Sequence, residues 1–211
     1  MRKKCYICKQ IDRAIKIDGN LKKAVWKKIK PIKDFETPWA KKGAGHQKTE
    51  CRICRDEEFL YVGYLAYDKD ILYINRGRKG SVCMDDVVEI FLDPTPKDKD
   101  YFGFEVNAGG YYLDYACTFY RKFNYKWTAK GFKTKTIINK KAGFFSCEMA
   151  IPFAALKRYP LSGEIWKMGL YRIDYNMVNG ERTEDYQLWK PNGNKTPDYH
   201  REKSFGKLKF I

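Results

Sequence analysis

The chain has 211 residues, of which 44% are hydrophobic and 16% aromatic. This apolar content is enough to bury a core, and it excludes a compositionally disordered chain, a collagen and a low-complexity protein. No run approaches the roughly 18–20 apolar residues of a membrane span, and the charged start lacks the apolar stretch of a signal peptide. We therefore expect a soluble chain, cytoplasmic by default. Its length suits a single domain, residues 1–211.

The net charge is +16, from 42 Lys and Arg against 26 Asp and Glu. Such a charge attracts polyanions, and nucleic acid is the first class to consider. The lysines, however, occur in short runs spread along the chain, and no RNA- or DNA-binding signature is present. We therefore expect a lysine-rich solvated surface, and nucleic acid is not an expected partner.

Alternation with a period of two dominates the sequence, which is typical of β-strands. Within residues 85–93, Val88 and Ile90 would share one face of a strand and Glu89 would lie on the other. Residues 59–67 are apolar on both faces, as in a central strand. Further strands are predicted at residues 70–75, 101–107, 111–117, 133–139, 144–151, 165–176, 186–189 and 206–210.

Helical spacing is scarce, with one turn predicted within 21–26 and another within 152–156. About ten evenly spaced strands with few short helices predict an all-β fold. The expected architecture is an antiparallel β-sandwich of two sheets, immunoglobulin- or jelly-roll-like, in a monomer. Three tryptophans are expected in its core: Trp26, Trp166 and Trp189.

The chain contains seven cysteines, an odd number, so at least one thiol is unpaired within the chain. Cys5 and Cys8, and Cys51 and Cys54, form two CxxC pairs whose four thiolates could bind zinc. Against this site, residues i and i+3 of a strand point to opposite faces, and the gap between the pairs is long. The alternative is two strands that carry small buried thiols.

Two carboxylates could carry chemistry. Glu89 and Glu105 are both predicted at mid-strand, opposite the apolar face, where they could act as the acid and base of a glycoside hydrolase. They could equally bind sugar hydroxyls or pair with lysines. Hydrolysis by a serine or cysteine nucleophile has little support, because only His46 and His200 are present and no GxSxG motif occurs.

Several segments, in order, resemble family 9 carbohydrate-binding modules. The first are Ile17-Asp18-Gly19 followed by Trp26, and residues 56–62, which read DEEFLYV. The pattern continues with 85–93 (DDVVEIFLD), 102–107 (FGFEVN), 148–153 (EMAIPF), 170–172 (LYR), 197–200 (PDYH) and 205–210 (FGKLKF). The resemblance covers nearly the whole chain. It implies a DOMON-type β-sandwich that binds a carbohydrate without cleaving it, in a family that is usually secreted.

Modules of this family hold a terminal sugar between two aromatic rings, while charged and amide groups bond its hydroxyls. Aromatic faces suit the C–H faces of a pyranose, and charged hydrogen bonds suit its hydroxyls. By resemblance, Tyr199 replaces one ring and Glu89 is the acidic ligand. Lys97 falls near the basic ligand, and Asn107 lies on a strand that supplies polar contacts. Polar neighbours favour an exposed Tyr199 ring.

The sequence departs from the family pattern at two positions of this site. Cys83 stands where the second ring would be, and Glu105 stands at the position of a family arginine. Trp39 or Trp127 could supply the missing ring from a loop, although each is more typical of a packed aromatic residue. The predicted ligand-binding set is Tyr199, Glu89, Lys97, Asn107, Glu105 and Trp39.

The nature of the ligand and cofactor stays open. The net charge favours an acidic polysaccharide over a neutral glucan. The resemblance also allows structural calcium, for which carboxylate oxygens are available at Asp68, Asp70, Asp85 and Asp86.

A haem- or redox-binding domain of the DOMON kind is the alternative from another functional class. Its candidate ligands are Met84, Met168 and His200, although a Met on a strand is more often part of the core.

Overall fold

The computed structural model describes residues 4–40, 46–77 and 80–211. These ranges contain twelve β-strands and two short helices, α1 (Ala24–Lys28) and α2 (Phe153–Leu156). The strands are β1 (Cys5–Gln10), β2 (Thr49–Arg55), β3 (Phe59–Tyr67), β4 (Val87–Asp93), β5 (Asp100–Asn107), β6 (Tyr112–Thr118), β7 (Lys122–Asn124), β8 (Lys133–Asn139), β9 (Phe144–Pro152), β10 (Ile165–Val178), β11 (Glu181–Leu188) and β12 (Gly206–Phe210). Neither helix has the length and apolar character to cross a membrane.

The strands form one continuous, curled sheet in the order β7-β6-β5-β4-β10-β12-β1-β2-β3-β9-β8, with β11 also paired to β10. β1 joins the two halves: it runs parallel to β12 through residues 5–8 and parallel to β2 through residues 9–10. All other neighbours are antiparallel. The all-β prediction is confirmed. About ten strands in two separate antiparallel sheets were predicted, whereas the structure has twelve strands. The two halves form one sheet because β1 pairs with β12 on one side and with β2 on the other.

The main core lies between the two halves of the curled sheet. Val88 and Ile90 of β4 contribute to it from one half, and Val62 of β3 and Met149 of β9 from the other. Burial of these side chains supplies the main driving force for closure of the two halves. The predicted core tryptophans Trp26, Trp166 and Trp189 are 0%, 0% and 3% exposed.

A buried carboxylate holds the Ile17-Asp18-Gly19 turn and Trp26 against β9. Glu148 accepts hydrogen bonds from the backbone N–H groups of Asp18 and Gly19, at 2.9 and 2.7 Å, and from Trp26 Nε1 at 2.6 Å. Lys23 Nζ lies 2.7 Å from the same carboxylate. Gly19 has φ +83°, in the left-handed region that favours glycine. The spacing of this motif is therefore explained by four donors that converge on one side chain.

The predicted strand at residues 70–75 is absent from the structure. Its backbone N–H groups are bonded to side chains instead of a neighbouring strand: Leu72 donates to Asp86, and Asn75 donates to Asp85 at 3.1 Å. Short acidic side chains offer a backbone such alternatives to a ladder. The segment is a connection pinned to the start of β4.

Candidate functional site

The second face of β4, on which Glu89 lies, is covered by a second layer of aromatic side chains. Glu89 is 2% exposed and Glu105 is 5% exposed. The side of β4 that carries these two predicted ligand residues is therefore not open to solvent, because the connections after β3, β6 and β11 fold back over it. The covering cluster contains Val82, Phe91, Tyr101, Tyr115, Tyr171, Tyr175, Tyr199 and Phe205.

Tyr199 belongs to this covering layer. Its ring is 6% exposed and stacks on Tyr171, with centroids 4.3 Å apart and planes 12° apart. Its hydroxyl donates to the carbonyl oxygen of Arg172 at 2.8 Å. The expectation of an exposed ring was wrong: the residues around Tyr199 are polar, but its own side chain packs inward.

Glu89 and Glu105 lie directly opposite each other on β4 and β5. Burial raises the pKa of Glu105 to about 7, and burial together with the neighbouring Glu105 raises the pKa of Glu89 well above its usual range. Glu105 Oε2 has no hydrogen-bond partner. Because both side chains are closed off from solvent, a glycosidic bond does not reach them in this structure, and the hydrolase alternative is not favoured.

Two further predicted ligand residues lie apart from Glu89. Lys97 is exposed in the turn between β4 and β5, beyond the Leu92–Phe102 pair that ends their ladder. Asn107 is buried, and its amide donates to the Asn75 carbonyl at 3.0 Å and to Asp85 at 2.8 Å. The structure therefore does not bring these two side chains together with Glu89 in one open site.

The two candidate replacement rings occupy different sides of the sheet. Trp127 packs on Phe102, with centroids 4.8 Å apart, against the main core. Trp39 contacts the covering layer instead, 6.4 Å from Tyr186 and 6.1 Å from Tyr199. Its Nε1 donates to the carbonyl oxygen of Asn194 at 2.9 Å, which fixes the indole in place. Cys83 is half-buried in the turn Val82–Met84.

Trp39 lines an open cleft of about 750 Å³ along β11, which we call the β11 cleft. Two half-buried rings, Trp39 and Tyr186, line one part of it. Amide and carboxylate groups line another part, and two exposed cations stand at its rim. These polar residues are Gln47, Asn176, Asp174, Glu184, Asp185, Arg182 and Lys195.

Most of the β11 cleft was missed in the sequence. The prediction placed a strand only at residues 186–189, whereas β11 begins at Glu181. Polar residues with period two along β10 and β11, Asp174 with Asn176 and Asp185 with Gln187, were the available signal. They mark a polar strip on one face of this strand pair, next to the aromatic Tyr186 on the other.

Asp185 lines the cleft and has one buried carboxylate oxygen without a hydrogen-bond partner. Its Oδ2 accepts from Gln187 at 3.3 Å, whereas Oδ1 is buried without a hydrogen-bond partner. Burial raises the pKa of this carboxyl. A buried acceptor without a donor carries a desolvation cost.

Three carboxylates meet beside the cleft. Oxygen atoms of Asp68, Asp86 and Asp174 lie within 4.8 Å of one another, and all three residues are buried. Arg172 Nη2 lies 3.1 Å from Asp68 and 2.9 Å from Asp174. Burial raises the pKa of Asp86 to about 8 and that of Asp174 to about 7.

This cluster bears on the calcium expectation. Asp68 and Asp86 were two of its four candidate oxygens; Asp70 lies next to the group, and Asp85 is engaged by residues 74, 75 and 107. One guanidinium lies against two of the three carboxylates, and this oxygen-rich site fits Ca²⁺ once Asp86 has released its proton. Asp68, Asp86 and Asp174 would hold the ion, and it would tie β10 to the start of β4.

The cysteines of the two CxxC pairs lie in strands β1 and β2, where residues i and i+3 point to opposite faces, as in the argument against a zinc site. Cys5 is exposed and Cys8 is buried in β1. In the described ranges, the only group of three or more candidate metal ligands is the aspartate cluster, so the four thiols do not converge.

The candidate haem ligands also lie apart. Met168 belongs to the main core, whereas His200 stacks on Phe91 on the other face of the sheet, with centroids 5.0 Å apart. Met84 is 49% exposed in the turn before β4. The haem alternative is therefore not favoured.

The sequence matches the family described as "Carbohydrate family 9 binding domain-like" over residues 17–211. A structure from Bacteroides uniformis ATCC 8492, provisionally assigned as a carbohydrate-binding protein, is similar with a TM-score of 0.82, 19% identity and 100% coverage of both chains. A family 9 carbohydrate-binding module from Caldicellulosiruptor kristjanssonii, in complex with cellotriose, has a TM-score of 0.73 at 17% identity and covers 98% of this chain and 93% of its own. Its complex with glucose has a TM-score of 0.72 at 17% identity, with 99% and 96% covered. A comparison with curated proteins found no match.

Proposed function

Because the chain belongs to the carbohydrate family 9 binding domain-like family, we propose that it binds a glycan, without cleaving it, in the β11 cleft. The observation that carries this proposal is the combination of the Trp39 and Tyr186 rings with amide and carboxylate groups along one open cleft. Aromatic faces suit the C–H faces of a sugar ring, and carboxylate and amide groups suit its hydroxyls.

The proposed ligand position contacts only part of the ligand-binding set predicted from the sequence. Of that set, Trp39 lines the β11 cleft, and Tyr199 supports the rings of Trp39 and Tyr186 from below. Glu89 and Glu105 lie deeper in the same layer. We expect modest affinity, because a sugar offers little apolar area and exchanges water for protein partners at its hydroxyls.

We propose an acidic glycan as the preferred ligand. Arg182 and Lys195 stand at the cleft, and the net charge of +16 raises the local concentration of polyanions. The related modules were solved with cellotriose and glucose, so these neutral sugars are the matched comparison ligands.

Isothermal titration with cellotriose, glucose and trigalacturonate, each at low and high salt, tests the proposal. Trp39→Ala and Asp185→Asn should each weaken binding about tenfold, or about 1.4 kcal/mol. The matched control is Tyr159→Ala, which removes a ring that is 56% exposed near α2. If both cleft variants bind as the wild type does, the β11 cleft is not the site; equal binding of neutral and acidic sugars would remove the acidic preference alone.

A further inference from the structure

A second cleft, of about 530 Å³, opens where the two halves of the sheet separate around β1. We call it the split cleft. One wall is the first half of β1, and the other is the segment from Lys28 to Asp34. Beyond it, β1 turns to pair with β2, through Lys9 opposite Cys54.

Tyr6 holds the split open at its base. Its hydroxyl donates to the Lys30 carbonyl at 2.8 Å and lies 3.3 and 3.4 Å from the carbonyl oxygen and the N–H of Ile53. The Ile53 N–H is the group that would bond to β1 next if the β1–β2 ladder continued past the Lys9–Cys54 pair. A buried side chain thus replaces a ladder bond, and the separation of the strands is a built feature of the fold.

The β1 wall presents a free strand edge. The even-numbered residues of β1 bond to β12: the Lys4 carbonyl accepts from Lys207, and the Cys8 carbonyl accepts from Ile211 at 3.0 Å. The N–H and C=O groups of Cys5 and Ile7 alternate with these and so face the split cleft. Within the described part of the chain, no neighbouring strand pairs with them and no hydrogen bond is made to them.

The unpaired charges that line the split cleft are positive. Lys9, Lys28 and Lys30 line it, are exposed, and have no ion-pair partner among the described residues. Lys4 is paired with Asp34 at 2.6 Å. Lysines beside an open edge disfavour pairing with most strands, and they favour one that carries negative charge.

From the free edge and the unpaired lysines, we propose that the split cleft binds an extended acidic peptide segment, which adds to β1 as a strand at Cys5 and Ile7. Main-chain hydrogen bonds to alternate residues would give affinity, and the lysines would select acidic side chains. This site is separate from the β11 cleft, so either proposal can fail without the other.

Fluorescence anisotropy with a labelled Glu-Val-Glu-Val-Glu peptide tests strand addition. Two isomers of this peptide, N-methylated on the odd or on the even amides, keep the charge but each block one edge. We expect the isomer methylated on the edge facing β1 to bind at least tenfold more weakly, and the other to bind within about threefold of the parent. No binding of the parent, or equal affinity of the two isomers, would overturn the proposal.

Charge reversal tests the role of the lysines. The double variant Lys28→Glu with Lys30→Glu should weaken the parent peptide at least tenfold. Lys140→Glu with Lys141→Glu, an equal charge change on exposed residues after β8, should leave binding unchanged, as should Trp39→Ala. Equal loss in both charge variants, or binding of oligogalacturonate but not peptide at this cleft, would overturn strand addition.

Discussion

Replacing Glu148 by Gln should destabilise the fold more than any change of comparable size on the surface. The carboxylate is fully buried and receives two backbone N–H groups, an indole N–H and the Lys23 ammonium. A glutamine oxygen can serve the two backbone donors, but its NH₂ group would then face Trp26 Nε1, so one buried donor loses its partner. Loss of one charge-assisted bond and one buried, unpaired donor costs about 1–3 kcal/mol each.

We therefore expect the free energy of unfolding to fall by about 3 kcal/mol, and the melting temperature to fall by roughly 6–12 °C. Urea denaturation at pH 7, followed by tryptophan fluorescence, measures the change. Glu57→Gln, on the exposed turn before β3, is the matched control and should shift stability by no more than about 0.5 kcal/mol. A loss below about 1 kcal/mol in Glu148→Gln would refute the view that this carboxylate organises the turn.

Four further expectations follow from the same structure. Tyr199→Ala should lower the free energy of unfolding by about 3–5 kcal/mol, whereas Tyr199→Phe should lower it by about 1 kcal/mol, because it loses one hydrogen bond. Equal losses for the two variants in chemical denaturation would contradict the stacked geometry. Because burial raises the pKa of Asp86 to about 8, above an unfolded value near 3.9, the folded state holds a proton that the unfolded state releases, and stability should fall as pH rises from 4 to 8. If Ca²⁺ replaces this proton, 1 mM CaCl₂ should raise the melting temperature more at pH 8 than at pH 6, with reversal by EGTA; no shift at pH 8 would remove calcium from the cluster. Ellman's reagent should label Cys5 rapidly in the native protein, and the buried thiols such as Cys51 only after unfolding; rapid labelling of several thiols would contradict their burial.

Much of the fold could be predicted because its strands alternate or form short apolar runs. Residues 59–67, 133–139 and 206–210 were predicted with the bounds that the structure gives. β7 was missed because it has only three residues. β1 was anticipated only as an alternative to a zinc site, because its partner β12 lies far away in sequence. Residues 70–75 alternate like a strand, yet the side chains of residues 85 and 86 bind their backbone instead.

The site was harder to predict for a different physical reason. Alternation shows that Glu89 and Val88 lie on opposite faces of β4, but not whether a second layer covers the polar-looking face. That layer comes from distant connections, including Tyr199 and Phe205. The family resemblance points to residues of this layer, whereas the open surface beside it, at Tyr186 and Asp185, emerges only when β10 and β11 are paired.

The pairing of β1 with β12 has a consequence for the order in which the protein can be made. β1 leaves the ribosome before β12, and Lys207, which pairs with Cys5, follows it 202 residues later. β12 lies between β1 and β10 in the sheet. Until β12 has been synthesised, the edges of β1 and β10 that pair with it are therefore unpaired. The sheet can therefore close only after translation has passed β12, and the nascent chain must keep two edges from other strands until then.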